Sequence, residues 1–253
     1  VFTLLLQHKD LIESLDFSAL KSLKIGSAPV PEELFYAVEE AFGVPTSENY
    51  GLTEGGPIML GKPLDGGKVP IGSCGVPWPE GEVKLVDADG EESDNYGELW
   101  VKNPGVTPGY HNLPEVDRER LTGGWLRTGD LFSVDEKGFF YFRGRTDDMF
   151  VTGGINIYPK EVELLIDDMP GVNESAVFGV PHPDFGEGVT AVVVKEPGAT
   201  VDEAAVLGSL SGHLAKYKQP KRVLFADALP RNTMGKVQKK QLRDDYRDLY
   251  NNA

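Results

Sequence analysis

The chain holds 253 residues, with 40 acidic side chains against 25 lysines and arginines and a formal net charge of −15. So negative a surface argues against nucleic acid or an anionic membrane as the main partner. No apolar run approaches the ~20 residues of a transmembrane segment, and a lone Cys74 excludes a disulfide framework and favours a reducing cytoplasm.

Residues 3–15 carry leucine and isoleucine at helical spacing, and LKSLKI (20–25) predicts a strand closed by Gly26. Pro31 suits the first helical position of PEELFYAVEEAF (31–42), which Gly43–Pro45 ends. The opening VFTLLLQHKD enters in mid-pattern, so a piece of a longer chain is expected. Helix and strand alternating through residue 65 predict the end of a large α/β layered domain. From about Pro70 the pattern changes. EVKLVDADGEE (82–92), YGELWVKN (96–103) and LFSVDEKGFFYFRGR (131–145) are short β-rich runs with Asp-Gly or Lys-Gly turns, which predict a small antiparallel barrel or sandwich over 66–146.

Residues 147–253 form a third pattern. MFVTGGINIYP (149–159) reads as a Gly-turned hairpin, and Pro159 opens the helix PKEVELLIDDM. SAVFGV (175–180) and VTAVVVK (189–195) are strands, DEAAVLGSLSGHLAK (202–216) a helix, KRVLFAD (221–227) a strand and KVQKKQLRDDYRDLY (236–250) a closing helix. This stretch suits a small, separate α+β domain.

Four motifs stand out: YGLTE (50–54), RTGD (127–130), GRTDDMFVTGGINIYPKEVE (144–163) and PRNTMGK (230–236). Each alone has a plain structural reading, as a strand end with a capping Thr-Glu, a turn aspartate, a hairpin or a solvated lysine. Met in this order along one chain, they resemble the adenylate-forming superfamily of acyl-CoA synthetases, peptide-synthetase adenylation domains and luciferases. The resemblance covers essentially all of the chain and corresponds to the later half of a family member.

The resemblance implies a carboxylate–CoA ligase: a carboxylate and ATP give an acyl-adenylate and pyrophosphate, and a thiol then displaces AMP. Its cofactors and partners would be ATP/AMP, Mg²⁺, coenzyme A and a small carboxylic acid. Joining two anions demands positive charge where the bond forms, and Lys236 matches the family's C-terminal catalytic lysine. Tyr50, flanked by Asn49 and Gly51, would stack on adenine. The backbone of Gly26-Ser27-Ala28-Pro29 would touch the same base. Thr53 would offer its hydroxyl to phosphate, and Glu54 would ligate Mg²⁺. Asp130 and Arg145 would hold the ribose. Asp147 falls at the hinge of a small mobile C-terminal domain, and Gly153 and Gly154, within Thr152–Ile157, would leave room for pantetheine. The frame around Lys236 also resembles a site of regulatory lysine acetylation, so a lysine acetyltransferase is an expected partner.

The family's phosphate loop has no counterpart here, since GKPLDGGKV (61–69) lacks its spacing. His8, His111, His182 and His213 show no metal-ligand spacing. The small domain looks most like malonate–CoA ligases. Those enzymes carry arginine before their YGMTE, where this chain has Asn49, so a fatty or aromatic monocarboxylate is the expected acid. Alternatives are a peptide-synthetase-type adenylation domain or a non-catalytic AMP-binding fragment.

Overall fold

Residues 2–26, 30, 32–233 and 235–251 are described by a computed structural model, in which the chain divides into two units, 1–142 and 143–253. The first begins with α1 (Phe2–Leu5), a 3-10 turn (Leu6–His8) and α2 (Lys9–Glu13). The helical spacing holds, but Ile12 is buried whereas Leu4, Leu5, Leu11 and Leu15 are exposed.

A βαβ step follows. β1 (Leu23–Ile25) pairs in parallel with β2 (Thr46–Glu48), and α3 (Glu32–Phe42) joins them, burying Phe35 and Val38. Gly43, at φ +65°, ends α3 in the left-handed conformation that glycine adopts without strain. Pro31, expected to open this helix, lies outside the described residues.

β3 (Tyr50–Leu52), β4 (Gly56–Gly61) and β5 (Val76–Pro77) form a three-stranded antiparallel sheet. The β-rich stretch beyond it is a curled half-barrel: one sheet of β6 (Glu82–Val86), β7 (Glu92–Ser93), β8 (Tyr96–Lys102), β9 (Leu121–Thr122), β10 (Trp125–Val134) and β11 (Phe140–Arg145). Leu85, Leu99, Val101, Phe132 and Phe140 of this sheet pack in one core with Met59 and Leu60 of β4. The predicted turns form for a local reason. Asp87 accepts the Asp89 and Glu91 amides, and Asp135 those of Lys137 and Phe139, with Gly90 and Gly138 at positive φ. The Phe139 amide foremost holds the Asp135 carboxyl below the usual carboxylate range. One helix was not foreseen: α4 (Pro114–Arg120) starts on Pro114 and buries none of its residues.

In the second unit, β12 (Phe150–Thr152) and β13 (Ile155–Ile157) form a hairpin, and α5 spans Pro159–Asp167. The long strands β14 (Val172–His182) and β15 (Gly186–Lys195) pair antiparallel, and β16 (Arg222–Ala226) runs parallel to β15. Side chains alternate across a strand, and here both faces are covered. Val177, Val189, Ala191 and Val193 meet α5 and α6 (Glu203–Leu210), while Ala176, Phe178, Val180, Val192 and Val194 meet α7 (Lys239–Asp245) and Tyr250. That accounts for the nearly unbroken apolar runs in the sequence. Two helices are shorter than expected. α6 stops at Leu210 because Gly212 turns the chain at φ +92°, and α7 occupies only Lys239–Asp245 of the 236–250 stretch.

Candidate active site

The first unit gathers its predicted residues at the carboxyl ends of two parallel strands, where open α/β sheets form their ligand crevices. Gly26 follows β1, and Asn49-Tyr50-Gly51 follows β2. The Asn49 amide donates to Ile25 O at 3.0 Å, and a Cβ on Gly26 would lie 2.9 Å from Asn49 O. Glycine is therefore required by the close approach of these strand ends. Gly51 is equally constrained, because a Cβ there would overlap the Pro57 backbone of the paired strand β4. The Asn49 side-chain amide donates to Pro57 O at 3.3 Å. Ser27, Ala28 and Pro29 lie outside the described residues.

Asp130 comes from far along the chain and reaches the same place. Arg127 pairs with Trp100 and Leu131 with Glu98, so Thr128, Gly129 and Asp130 stand opposite Leu99 alone. Such a bulge bends a strand and re-aims its side chains, and Gly129 takes φ +73° within it. Three hydrogen bonds hold the bulge. The Thr128 hydroxyl donates to Leu99 O at 2.7 Å, the Asp130 amide donates to that hydroxyl oxygen at 3.1 Å, and the Gly129 amide donates to Glu98 Oε1 at 3.0 Å. Glu98 Oε2 accepts from Arg127 at 3.3 Å and from the Trp100 indole at 3.2 Å, and Arg127 lies over the Trp100 ring at 5.2 Å. The outcome is a buried Asp130 whose Oδ2 accepts the Tyr50 hydroxyl at 2.5 Å. Tyr50 packs edge-on against Phe132 with ring centres 4.8 Å apart. Two residues singled out separately thus meet across 80 positions of sequence.

Thr53 and Glu54 occupy the turn between β3 and β4, Thr53 exposed and Glu54 half-buried. A loop that sequence reasoning passed over cradles this turn. Asn103 Nδ2 donates to Gly55 O at 3.0 Å, the Thr107 amide to Glu54 O at 2.7 Å, and the Tyr110 hydroxyl to Glu54 Oε1 at 3.2 Å. Burial first, and the Glu54 charge next, raise the Tyr110 phenol above its ordinary value and keep it a donor. Among the described residues, no cluster of three or more His, Cys, Asp or Glu could cage a metal. A single steadied carboxylate fits Mg²⁺, which binds through one or two carboxylates plus substrate phosphates.

Beside this site lie two buried groups. Glu48, at the end of β2, accepts the Gly72 amide at 3.1 Å, and burial raises its carboxyl above the usual range. Burial, and secondarily the Glu48 charge, push the Cys74 thiol up to about 12, which leaves it a packing group.

In the second unit Lys236 sits at the exposed end of a braced turn. Its amide donates to Asn232 Oδ1 at 2.9 Å, the Asn232 amide donates back to Lys236 O at 2.9 Å, and Gly235 adopts φ +81°. Arg231 clamps the turn by donating to Gly235 O at 2.7 Å while its other terminal nitrogen pairs with Glu174. No carboxylate among the described residues pairs with the Lys236 ammonium. Arg145 and Asp147 join at 3.2 Å, both partly exposed, Asp147 lying in the turn between β11 and β12. Gly153 and Gly154 are the two central residues of the β12–β13 turn at φ +55° and +82°, the type I′ geometry that favours glycine. The exposed side chains of Val151, Ile155 and Phe185 lie around them. A separate cleft of about 480 Å³, lined by Ile12, Leu15, Phe17, Leu20 and Phe42, contains none of the predicted site residues.

Strand-end glycines, a bulge-aimed aspartate under a tyrosine and a lysine on a braced turn are features of a nucleotide-handling α/β enzyme. The chain belongs to the AMP-binding enzyme family, whose main domain matches residues 1–111 and whose C-terminal domain matches residues 161–236. It is 38% identical to a long-chain-fatty-acid–CoA ligase of Yersinia pestis, over 97% of this chain and 43% of that protein. It is 40% identical to an indoleacetate–CoA ligase of Aromatoleum aromaticum, over 94% of this chain and 46% of that protein. Among solved structures, ATP-bound MatB from Rhodopseudomonas palustris superimposes with a TM-score of 0.81 at 47% identity, covering 90% of this chain and 46% of that one. The chain therefore spans less than half the length of these relatives.

Proposed function

We propose that these residues form the C-terminal portion of an ATP-dependent carboxylate–CoA ligase working through an acyl-adenylate. The observation that carries this reading is Lys236. In a chain of net charge −15, its ammonium stands on a clamped turn and pairs with no carboxylate among the described residues. A cation kept in that way is suited to anionic ligands. In the first half-reaction a carboxylate oxygen bonds to the α-phosphorus and the bond to pyrophosphate breaks. Lys236 would lie between the two anions, offsetting their repulsion and the charge of the transition state. Tyr50 would cover the adenine with the backbone of residues 26–29 at its edge, and Asp130 and Arg145 would fix the ribose. Thr53 would donate to phosphate. Mg²⁺, which neutralises phosphate charge when bound, would be held by Glu54, with Tyr110 steadying that carboxylate.

In the second half-reaction the CoA sulfur bonds to the acyl carbon and AMP leaves. Lys236 must then withdraw, and a rotation about Asp147 would bring Gly153 and Gly154 to the pantetheine arm. The acid is read as a monocarboxylate. The named fatty-acid and indoleacetate relatives support that, as does Asn49, whose side chain is engaged with Pro57 O and carries no charge for a second carboxylate. We place the reaction in the cytoplasm and take Lys236 as a target for an acetyltransferase, because acetylation would remove the positive charge that the first half-reaction draws on. For the 253 residues by themselves, AMP binding without activation is the expected behaviour, since no stretch of them matches the family's phosphate loop.

The test is CoA-dependent AMP release by the full-length enzyme against a panel of fatty, aromatic and dicarboxylic acids. Turnover with a monocarboxylate and little with malonate is expected. Release of AMP with no acid of the panel would overturn the reading.

A further inference from the structure

Three residues beyond Lys236, the chain enters α7 with Lys239, and this second lysine is not exposed like the first. Its side chain is 17% accessible, and its Nζ lies 2.7 Å from Glu163 Oε1 and 3.5 Å from Asp148 Oδ2. Glu163, on α5, is 7% accessible at its side chain. The same Oε1 accepts the Val177 amide of β14 at 2.9 Å, and Oε2 lies 3.7 Å from Lys160. Lys160 also reaches Asp167 at 3.6 Å, and Asp167 accepts the Ser175 hydroxyl at 2.6 Å. Lys239 is thus one member of a partly buried chain of alternating charge, with contacts on α5, on β14 and on the turn between β11 and β12.

The connectivity matters more than the number of contacts. Asp148 is the neighbour of Asp147 in the turn 146–149, and Lys239 stands at the foot of the Lys236 turn. The other leg of that turn is clamped by Arg231 to Glu174 on β14, and the Gln238 amide donates to Pro230 O at 2.8 Å, closing the base. An exposed six-residue loop would otherwise let its terminal lysine wander by ångströms, whereas charge stabilisation requires donors fixed in advance.

We propose that Lys239 is a positioning residue, which through the buried Glu163 and through Asp148 ties the foot of the Lys236 turn to the turn carrying the hinge. The two segments then move as one piece, and a rotation at Asp147 delivers Lys236 to a fixed point. This rests on the reading of Lys236 as the adenylating lysine, and it assigns a role to a charge network that the reaction itself does not use.

Lys239→Met, Lys239→Arg and Lys236→Ala in the full-length enzyme separate these ideas. Pyrophosphate exchange and thioester formation from supplied acyl-adenylate are measured apart, with hydrogen exchange of the amides at 146–149 and 235–238. Lys239→Met should slow adenylation roughly 10–100-fold, the size of effect expected of an ångström-scale misplacement. It should leave thioester formation within about two-fold and release protection in both segments together. Lys239→Arg, which keeps the charge and reach, should restore both. Wild-type adenylation by Lys239→Met while Lys236→Ala is crippled would overturn the tether and leave the reading of Lys236 standing. Unimpaired adenylation by Lys236→Ala would instead overturn that reading. Equal loss of both half-reactions, or loss that arginine fails to rescue, would reduce Lys239 to a general stabilising residue and also overturn the proposal. Should Lys239→Met fail to fold, Asp148→Asn cuts the link at its accessible end, and unchanged protection at 146–149 in that variant would overturn it equally.

Discussion

Glu98 offers a direct way to ask whether the bulge is what aims Asp130. Glu98→Ala removes the acceptor of the Gly129 amide at 3.0 Å, and with it the partner of Arg127 and of the Trp100 indole. The Glu98 side chain is 11% accessible, so its bond to the amide is largely shielded from water, whereas Arg127 is 40% accessible and can turn to solvent. A hydrogen bond to a charged group contributes about 1.5–3 kcal/mol, and the exposed ion pair adds less than about 1 kcal/mol. A loss near 2–3 kcal/mol follows, which corresponds to a fall in melting temperature of about 4–12 °C for a chain of this size. The functional signature is separate. A slackened bulge no longer holds Asp130 at the Tyr50 hydroxyl, and AMP affinity should fall about tenfold, equivalent to 1.4 kcal/mol. Thermal unfolding and calorimetric titration with AMP read the two effects independently. A Glu98→Ala protein that melts lower yet binds AMP as tightly as wild type would show that the bulge supports the fold without positioning the aspartate.

Two further substitutions probe the surroundings. Burial raises the Glu48 carboxyl, so the folded protein holds that proton to a higher pH than the unfolded chain, and stability falls as pH climbs through the carboxylate range. Glu48→Gln should therefore melt higher than wild type at pH 8 and lose that advantage toward pH 4; an equal or lower melting temperature at pH 8 would contradict the sign. Asp147→Pro, which fixes φ and removes an amide, should spare pyrophosphate exchange and collapse CoA-dependent turnover. Full CoA-dependent turnover would show that no rotation pivots at this residue.

The parts of the fold legible in the sequence are those set by local rules. SAVFGV and VTAVVVK read as strands because both faces are buried, and Gly153-Gly154 reads as a hairpin because a type I′ turn needs positive φ twice. PEVDRER went unseen for the converse reason: a helix that buries nothing has no apolar stripe to read. LSGHLAK kept a helical spacing that Gly212 breaks, since one positive-φ residue outweighs propensity. In the site, residue identities were legible but their placement was not. The bulge that turns Asp130 toward Tyr50 depends on Glu98, some thirty positions away, and no local pattern announces it. Asn103, Thr107 and Tyr110 match no motif, and a Tyr directly after a Pro-Gly pair carries no sign that it will reach Glu54.

Acid-dependent exchange of pyrophosphate into ATP by the full-length enzyme, compared between wild type and Lys236→Ala, bears most directly on the proposed chemistry. Exchange should require the carboxylic acid, and the substitution should lower its rate by roughly 10²–10³-fold, the value of one preorganised charge contact, without changing the melting temperature of a lysine so exposed. Exchange that proceeds without the acid, or at an undiminished rate in Lys236→Ala, would contradict carboxylate adenylation by this residue.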